Sequence, residues 1–576
     1  MTDTQMLRKP FKLALFHGFW YTVLIGKAVK SMYQKFTQEE LNTMDHESKD
    51  QVIFLMQEKL DKLEKDFETL VEQIRLANQQ RFGRQTEKLD QIAGQLSFFN
   101  EAEANCDESA PEPTIEETVA AAVKRPKRPK KKGQRIEDME SYPQEEIPHD
   151  IPKEKLDEAF GAGCYKSMPD EICWQLRFEP ARWVAEKHVI KVYVGTDGLH
   201  QDEFLRGDHP DTLFRGSVAT PSLEAAVINA KYVNSNPLDR ICRDFQTNGL
   251  NLSKQTISNW TVWTAERYLS LIYKDMIIRQ LQEHVNQCDE TPVEVIHDDR
   301  PAGSQSYMWV HLTGELSQGP KIIVYEYQKT RNSDHPKEYY RNFSGVLMTD
   351  GLEQYHKLAR ESEGITNANC FAHARRHFAN AIKAIGKGNQ KSIQSSVAYK
   401  ALTRIGTIYK LEEALKGFSP EERLKERQAS IKPLVEEFFV WVKEQATGGS
   451  VLPKGETAKG LNYCINQEEH LKVFLTDGEV PIDDSASERA LRNFTIGRKN
   501  WVTINTIRGA QASAIIYSVT ETARVNGLNV YYYIRHLLTE LMKLKDADGN
   551  IDQTKLEPLM PWSKDLPAEC YSKRRQ

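Results

Sequence analysis

The fold class this 576-residue sequence predicts is an α/β core carrying a helical insertion, preceded by a coiled coil, a linker, a small β-rich unit and a helix-turn-helix region. Three observations predict it. From about residue 285 three β runs follow one another, VNQCDETPVEVI, SYMWVHLTGE and KIIVYEY, with Gly, Ser and Asp between them, the pattern of an antiparallel meander. GVLMTDG, EQYHKLARE and ITNANCFAHARRHFANAIKAIG then alternate strand and helix, and residues from about 390 to 475 read as mainly helical. Ile53, Met56, Leu60, Leu63, Phe67, Leu70, Ile74 and Ala77 repeat at intervals of three and four. That is an a/d seam, narrower than the apolar stripe of a helix packed on its own domain.

The N-terminal half follows in order. Residues 1–45 form an extension containing LALFHGFWYTVLIG, which is shorter than a membrane span and lacks a small-residue cleavage site after it. The seam places a coiled coil within 46–100, and with no second helix to cover it the chain is expected to self-associate. Residues 101–150 hold seven acidic residues between Glu101 and Glu117, then KRPKRPKKK, where two prolines and dense like charge predict a flexible, charged linker. A small β-rich unit is expected over 151–205 and a helical region over 206–280. In PLDRICRDFQTNGLNLSKQTISNW, Pro237 suits the first turn of a helix, Asn248-Gly249 ends it, and Ser253 caps the next. A helix-turn-helix places Lys254, Gln255, Thr256, Ser258 and Asn259 on the leading turns of its second helix, where base edges would be met.

Composition narrows the function. Lys and Arg number 77 against 82 Asp and Glu, a net charge of -5, so a uniformly basic nucleic-acid coat is excluded and binding must come from local patches. The eight cysteines contain no CxxC pair, which favours neither a zinc ribbon nor a disulfide framework and suits a reducing cytoplasm. No apolar run reaches 18 residues, so no membrane partner is expected.

The order of strands and helices in 281–505 matches an RNase-H-like α/β fold, in which the first and fourth strands are neighbours. Asp289 and Asp350 would then project near each other, and Pro292 is expected to end or bulge the first strand. Two close carboxylates call for a bridging hard cation, Mg²⁺ or Mn²⁺. Attack on a phosphodiester uses two such ions about 3.5–4 Å apart, hence a third acid. Glu488, in the first turns of the helix begun by IDDSASERALRNF, supplies it, with Arg489, Arg492, Arg498 and Lys499 offering charge for phosphates. Residues 506–576 read as a C-terminal helical region.

CDETPV, LMTDG, CFAHARRHF, ASERALRNFTIGRKNW and GAQASAIIYSVTETARVNGLN, with FGRQTEKL upstream, resemble the insertion-sequence-66 family of bacterial DDE transposases over about residues 50–545. The resemblance implies DNA cleavage and joining, a metal-binding acidic triad at Asp289, Asp350 and Glu488, and an insertion before the last acid. Partners implied are element-end and target DNA and small accessory proteins, with the chain cytoplasmic. Arg375 and Arg376 become further phosphate candidates, while His373 is assigned a structural hydrogen bond. Two departures matter. The family's zinc segment has paired cysteines, but Cys164 and Cys173 stand alone with only His188 as a distant companion, so no zinc is expected. Two asparagines usual before the last acid are replaced in the stretch Asp483, Asp484 and Ser485, where either aspartate could compete for the ion. A decayed, purely DNA-binding relative and a nuclease with the same core are the alternatives.

Overall fold

The computed structural model describes residues 45–82, 186–194, 204–206 and 210–572, except 302, 386–389, 449–450, 453 and 547–549. The N-terminal apolar stretch, the charged linker and the cysteines expected in a degenerate zinc segment, Cys164 and Cys173, lie outside the described residues. Among the described residues no helix is long and apolar enough to cross a membrane.

Helix α1 (His46–Phe82) carries the predicted seam. Its Ile53, Met56, Leu60, Leu63, Phe67, Leu70 and Ile74 are between 46% and 66% exposed, so the described residues leave this part of the seam uncovered. A short antiparallel pair of strands, β1 (Val192–Val194) with β2 (Phe204–Arg206), precedes the helical region. There α2 (Pro221–Ile228), α3 (Leu238–Thr247), α4 (Lys254–Thr264) and α5 (Ser270–Gln280) follow in close succession. Pro237 is the N-cap of α3, Asn248 ends that helix, and Gly249 takes the left-handed turn at φ +84°. Ser253 then caps α4 by accepting the Thr256 N–H at 3.1 Å. Ile241, Cys242 and Phe245 of α3 bury against Ile257 of α4 and Val227 of α2, which sets the helix pair.

The sheet contains β3 (Val285–Val293), β5 (Ser306–Thr313), β6 (Ile323–Gln328), β7 (Gly345–Thr349) and β8 (Ile365–Asn369), in the order β6-β5-β3-β7-β8. The first three are antiparallel, and β3, β7 and β8 are parallel. The remaining strands, β4 (Val295–His297) and β9 (Ile504–Thr506), pair with each other outside it. Pro292 does not end β3, contrary to the sequence expectation: the strand continues to Val293, with Pro292 opposite Tyr307 of β5. The reason is local. β7 pairs with β3 only from Val285 to Gln287, so no ladder exists on the other side for a missing N–H to break.

Helices α6 (Asp334–Tyr339) and α7 (Glu353–Glu361) cover one face, burying Cys288, Trp309, Leu347 and Tyr355 in a small cluster. The opposite face is split. Met308, Val310 and Leu312 of β5 join a core built with α2, α4, α5, α16 (Ile507–Val525) and α17 (Val530–Lys543). Val285, Val346 and Met348 join a second core with α8 (Phe371–Ile385), α9 (Gln390–Ser395), α10 (Val397–Ala414), α12 (Lys432–Thr447) and α13 (Glu456–Asn466). α11 (Pro420–Glu426) follows α10, α14 (Glu468–Leu471) follows α13 and adds Leu471 to the second core, and α15 (Ser485–Trp501) returns the chain to the sheet.

The outer edge of β6 would be open to a foreign strand. Instead, Thr522 and Ser518 of α16 accept the Ile323 and Tyr325 N–H groups at 2.9 and 2.7 Å, while Thr522 also donates to the Ile323 carbonyl at 3.0 Å. Side-chain hydroxyls thereby stand in for a sixth strand.

Candidate active site

The parallel ladder between β3 and β7 ends at Gln287 opposite Met348. Asp289 lies two residues beyond that pair on one strand and Asp350 two residues beyond on the other, so the register carries both acids to the same end of the sheet. Alternation along β3 sends Asp289 and Glu290 to opposite faces.

Glu290 is held by partners where it goes. Arg331 donates Nε to its Oε1 at 2.5 Å and the Tyr355 hydroxyl donates to Oε2 at 2.5 Å. Asp289 has no such cation: its Oδ1 accepts only the Glu290 N–H, at 2.8 Å, among the bonds formed here. Burial pushes its carboxyl well above the ordinary carboxylate range, and the negative charges of Glu290, Asp350 and Glu488 push the same way. Asp350 is pushed up to about 6, mainly by burial and then by Glu290, with Arg331 opposing.

Asp350 is also held by its backbone. Its Oδ1 accepts the Leu352 N–H at 3.1 Å, starting α7, and its carbonyl accepts the Tyr463 hydroxyl of α13 at 3.0 Å. Gly351 takes φ +87°, and a Cβ there would lie 3.0 Å from the Asn369 amide nitrogen and 3.1 Å from the Tyr463 hydroxyl. The turn therefore requires glycine, and the helical insertion reaches the acid through one tyrosine.

Glu488 enters from the first turn of α15. It is ion-paired with Arg376 of α8, and the His373 Nε2 is 3.9 Å from the same oxygen. Asp484 stands one turn earlier, at the N-cap, and is 1% exposed. Its Oδ1 accepts from the Gln287 amide at 2.7 Å, while its Oδ2 has no hydrogen-bond partner. Burial raises this carboxyl well above its ordinary range, and Asp289 is the leading charged contributor.

The remaining sequence candidates divide. Arg498 donates to the Thr291 hydroxyl at 3.2 Å and to the Pro292 carbonyl, which commits it to β3. Arg489 pairs with Glu315 at 2.9 Å, Arg375 lies 6.0 Å from the Tyr409 ring, Arg492 is half-buried and Lys499 is exposed. Lys254, Gln255, Thr256, Ser258 and Asn259 occupy the first turns of α4, with the Gln255 amide bonded to Asn259 at 3.1 Å. That helix belongs to the α2–α5 region and not to the acid centre. Sequence reasoning passed over Glu290, Arg331 and Tyr463. An acid adjacent to Asp289 was visible, but its partners are brought in from 41 and 65 residues away, a separation no local pattern encodes.

The donor set is all hard carboxylate oxygen, with three acids pressing negative charge on Asp289, and this fits Mg²⁺ or Mn²⁺ in kind. Among the described residues, no three His, Cys, Asp or Glu side chains are gathered closely enough to grip an ion as they stand. Glu488 is held by Arg376.

Comparison with known proteins agrees in order along the chain. The sequence profile described as Transposase IS66 family matches residues 216–512, that described as Transposase C of IS166 homeodomain matches 69–154, and the IS66 C-terminal element matches 518–562. Three uncharacterized proteins of Sinorhizobium fredii are similar. One, y4hP, is 27% identical over 358 residues, 59% of this chain and 62% of its own length. Another, y4qI, is 25% identical over 485 residues, 81% of this chain and 83% of its own, and y4jD is 24% identical over 367 residues. With the first profile alone covering more than half of its residues, the chain belongs to the IS66 family of transposases.

Proposed function

We propose that the chain is a DNA transposase that cleaves and joins the ends of an insertion element at an acid centre made of Asp289, Asp350 and Glu488. The carrying observation is the β3–β7 register, which brings two acids to one end of a five-stranded sheet while the field of Glu488 reaches Asp289. The strand order, antiparallel then parallel about β3, supports an RNase-H-like core. Asp289 and Asp350 would hold a pair of Mg²⁺ or Mn²⁺ ions, and Glu488 would complete the cage. Bound there, the ions supply Lewis acidity at the attacking and leaving oxygens of the phosphodiester.

The chain's own residues do the rest. Glu290, satisfied by Arg331 and Tyr355, fixes β3 so that Asp289 is held at the strand end. Tyr463 and Gly351 fix the Asp350 turn. Glu488 would hold the ion through the carboxylate that here meets Arg376. Water then displaces the 3′ oxygen at the element end, and the freed 3′-hydroxyl displaces a 3′ oxygen in target DNA, each in line and without a protein-bound intermediate. The α3–α4 pair supplies duplex contact through Lys254, Gln255, Thr256, Ser258 and Asn259, and Arg375, Arg376, Arg492 and Lys499 would line the phosphate path, with Arg498 holding β3 beside it.

The test is cleavage of labelled end-bearing DNA with Mg²⁺. Asp289→Asn, Asp350→Asn and Glu488→Gln should each lower it by at least about 10³-fold, as expected for removing charge stabilisation of a transition state. Undiminished cleavage by Asp289→Asn and Glu488→Gln would end the assignment, and cleavage without joining would make the chain a nuclease. The uncovered seam of α1 fits a second copy of the chain. Replacing Leu63 and Leu70 by glutamine should lower the mass in sedimentation, and an unchanged mass would refute self-association through that helix.

A further inference from the structure

We propose that Asp484 is a fourth carboxylate of this centre, contributing its Oδ2 to the divalent ion that Asp289 holds. The inference rests on the cation site proposed above and adds to it a residue outside the acidic triad.

An aspartate at a helix N-cap ordinarily turns its side chain onto the free N–H groups of the first turn. Asp484 does not: it makes no side-chain cap bond. A neighbour meets one of those groups instead, Asp483 Oδ1 accepting the Ser485 N–H at 3.0 Å, while the Ser487 hydroxyl donates to the Asp484 carbonyl at 2.9 Å. The Asp484 carboxyl is thus directed inward to β3, where Gln287 holds Oδ1 at 2.7 Å. Gln287 is itself fixed, fully buried and accepting the Glu315 N–H at 3.1 Å. Oδ2 is buried with no hydrogen-bond partner of its own, and the Ser487 hydroxyl and the Gln287 amide are the neighbours that ease the carboxyl's charge.

Leaving a carboxyl oxygen buried and unbonded costs free energy that a folded chain normally avoids. The groups whose charge bears on Asp484 most are Asp289 and then Glu488, both negative, and no described ion pair includes Asp484. A proton or a cation can settle the account. A proton would make Asp484 a substitute for an amide, and asparagine would then serve equally well. A cation would need both negative oxygens and the inward aim, which are the features present.

Mn²⁺ binding by the full-length chain, without DNA, separates the two. Free Mn²⁺ is followed by its electron paramagnetic resonance signal for the native chain, Asp484→Asn and Asp289→Asn, with melting curves in chelator and in Mn²⁺. Asp484→Asn keeps an oxygen for Gln287 and should fold, and Asp484→Ser provides a second variant if it does not. The expected result is Mn²⁺ affinity at least about tenfold weaker in Asp484→Asn, with the Mn²⁺-induced rise in melting temperature reduced. Native-like Mn²⁺ affinity in Asp484→Asn together with loss in Asp289→Asn would overturn this inference alone. Native-like affinity in both variants, or no uptake by the native chain, would overturn it together with the cation site itself.

Discussion

Two buried clusters of charge in this chain are handled in opposite ways. In the helical insertion, Arg427 is fully buried, yet its guanidinium meets both oxygens of Glu412 and donates to the Phe474 and Asp477 carbonyls at 2.8 and 2.7 Å. Arg423, 2% exposed, donates to the carbonyls of Leu415, Phe418 and Gly478. Each cation there is closed off by the chain itself. At the end of the sheet, Asp289 is half-buried and Asp484 buried, each against further acids, and one carboxyl oxygen of Asp484 has no partner. The first cluster is architecture, joining α10 to the turn after α14. The second holds unspent charge of one sign, which a fold tolerates where something from outside completes it.

The largest effect that can break this contrast lies in the matched cluster. Arg427→Met leaves Glu412 buried and alone, and should destabilise the chain by about 3–5 kcal/mol in denaturant unfolding. Adding Glu412→Leu should restore most of that loss, because an apolar pair of similar volume has no charge to leave unpaired. A single variant costing under about 1 kcal/mol would show that Arg427 is not closed off as described.

The unmatched cluster should respond in the other direction. In chelator, Asp289→Asn removes a carboxylate pressed by Glu290, Asp350 and Glu488, and should raise stability by about 1–2 kcal/mol while cleavage is lost. Stabilisation with loss of activity is the signature of a residue kept for its chemistry. A variant less stable than the native chain in chelator would mean that Asp289 is used structurally.

How far either cluster could be read beforehand depends on where its partners lie. The a/d spacing of α1, the capping by Ser253, the glycine turn at 249 and the first-turn position of Glu488 are local, and the residues themselves show them. The adjacency of β3 and β7 followed from the order of strands and helices, which is why Asp289 and Asp350 could be paired on paper. Other features depend on contacts across long stretches of chain. The tolerance of Pro292 inside β3 depends on how early β7 stops pairing. The hydroxyls of Ser518 and Thr522 that close the edge of β6 look like ordinary polar helix positions until the strand is laid beside them. Asp484 was visible as an acid beside the last catalytic candidate, but its inward aim and its unbonded oxygen follow from Gln287, 197 residues away.

The smallest of the expected effects concerns a cation and extends the contrast to the helical region. Lys231, between α2 and α3, has its ammonium 5.0 Å from the Tyr232 ring and 5.9 Å from the Trp501 ring. Burial, and then the charge of Lys254, lower it to about 8. Unfolded, a lysine titrates near ~10.4, so between those values the unfolded chain binds more protons than the folded one. Stability contributed by this residue therefore rises with pH from about 8 to ~10.4, and the penalty is fully present below pH 8. Its partial exposure limits the change to about 1–2 kcal/mol. Lys231→Met should flatten that part of the stability profile relative to the native chain and raise stability at pH 7. A duplex phosphate drawn to Lys254 would act on the same balance by favouring the charged form of Lys231, so DNA binding near pH 8 should take up protons in the native chain and fewer in Lys231→Met. Equal uptake by both, measured in buffers of different ionisation enthalpy, would place the DNA away from this pair of lysines.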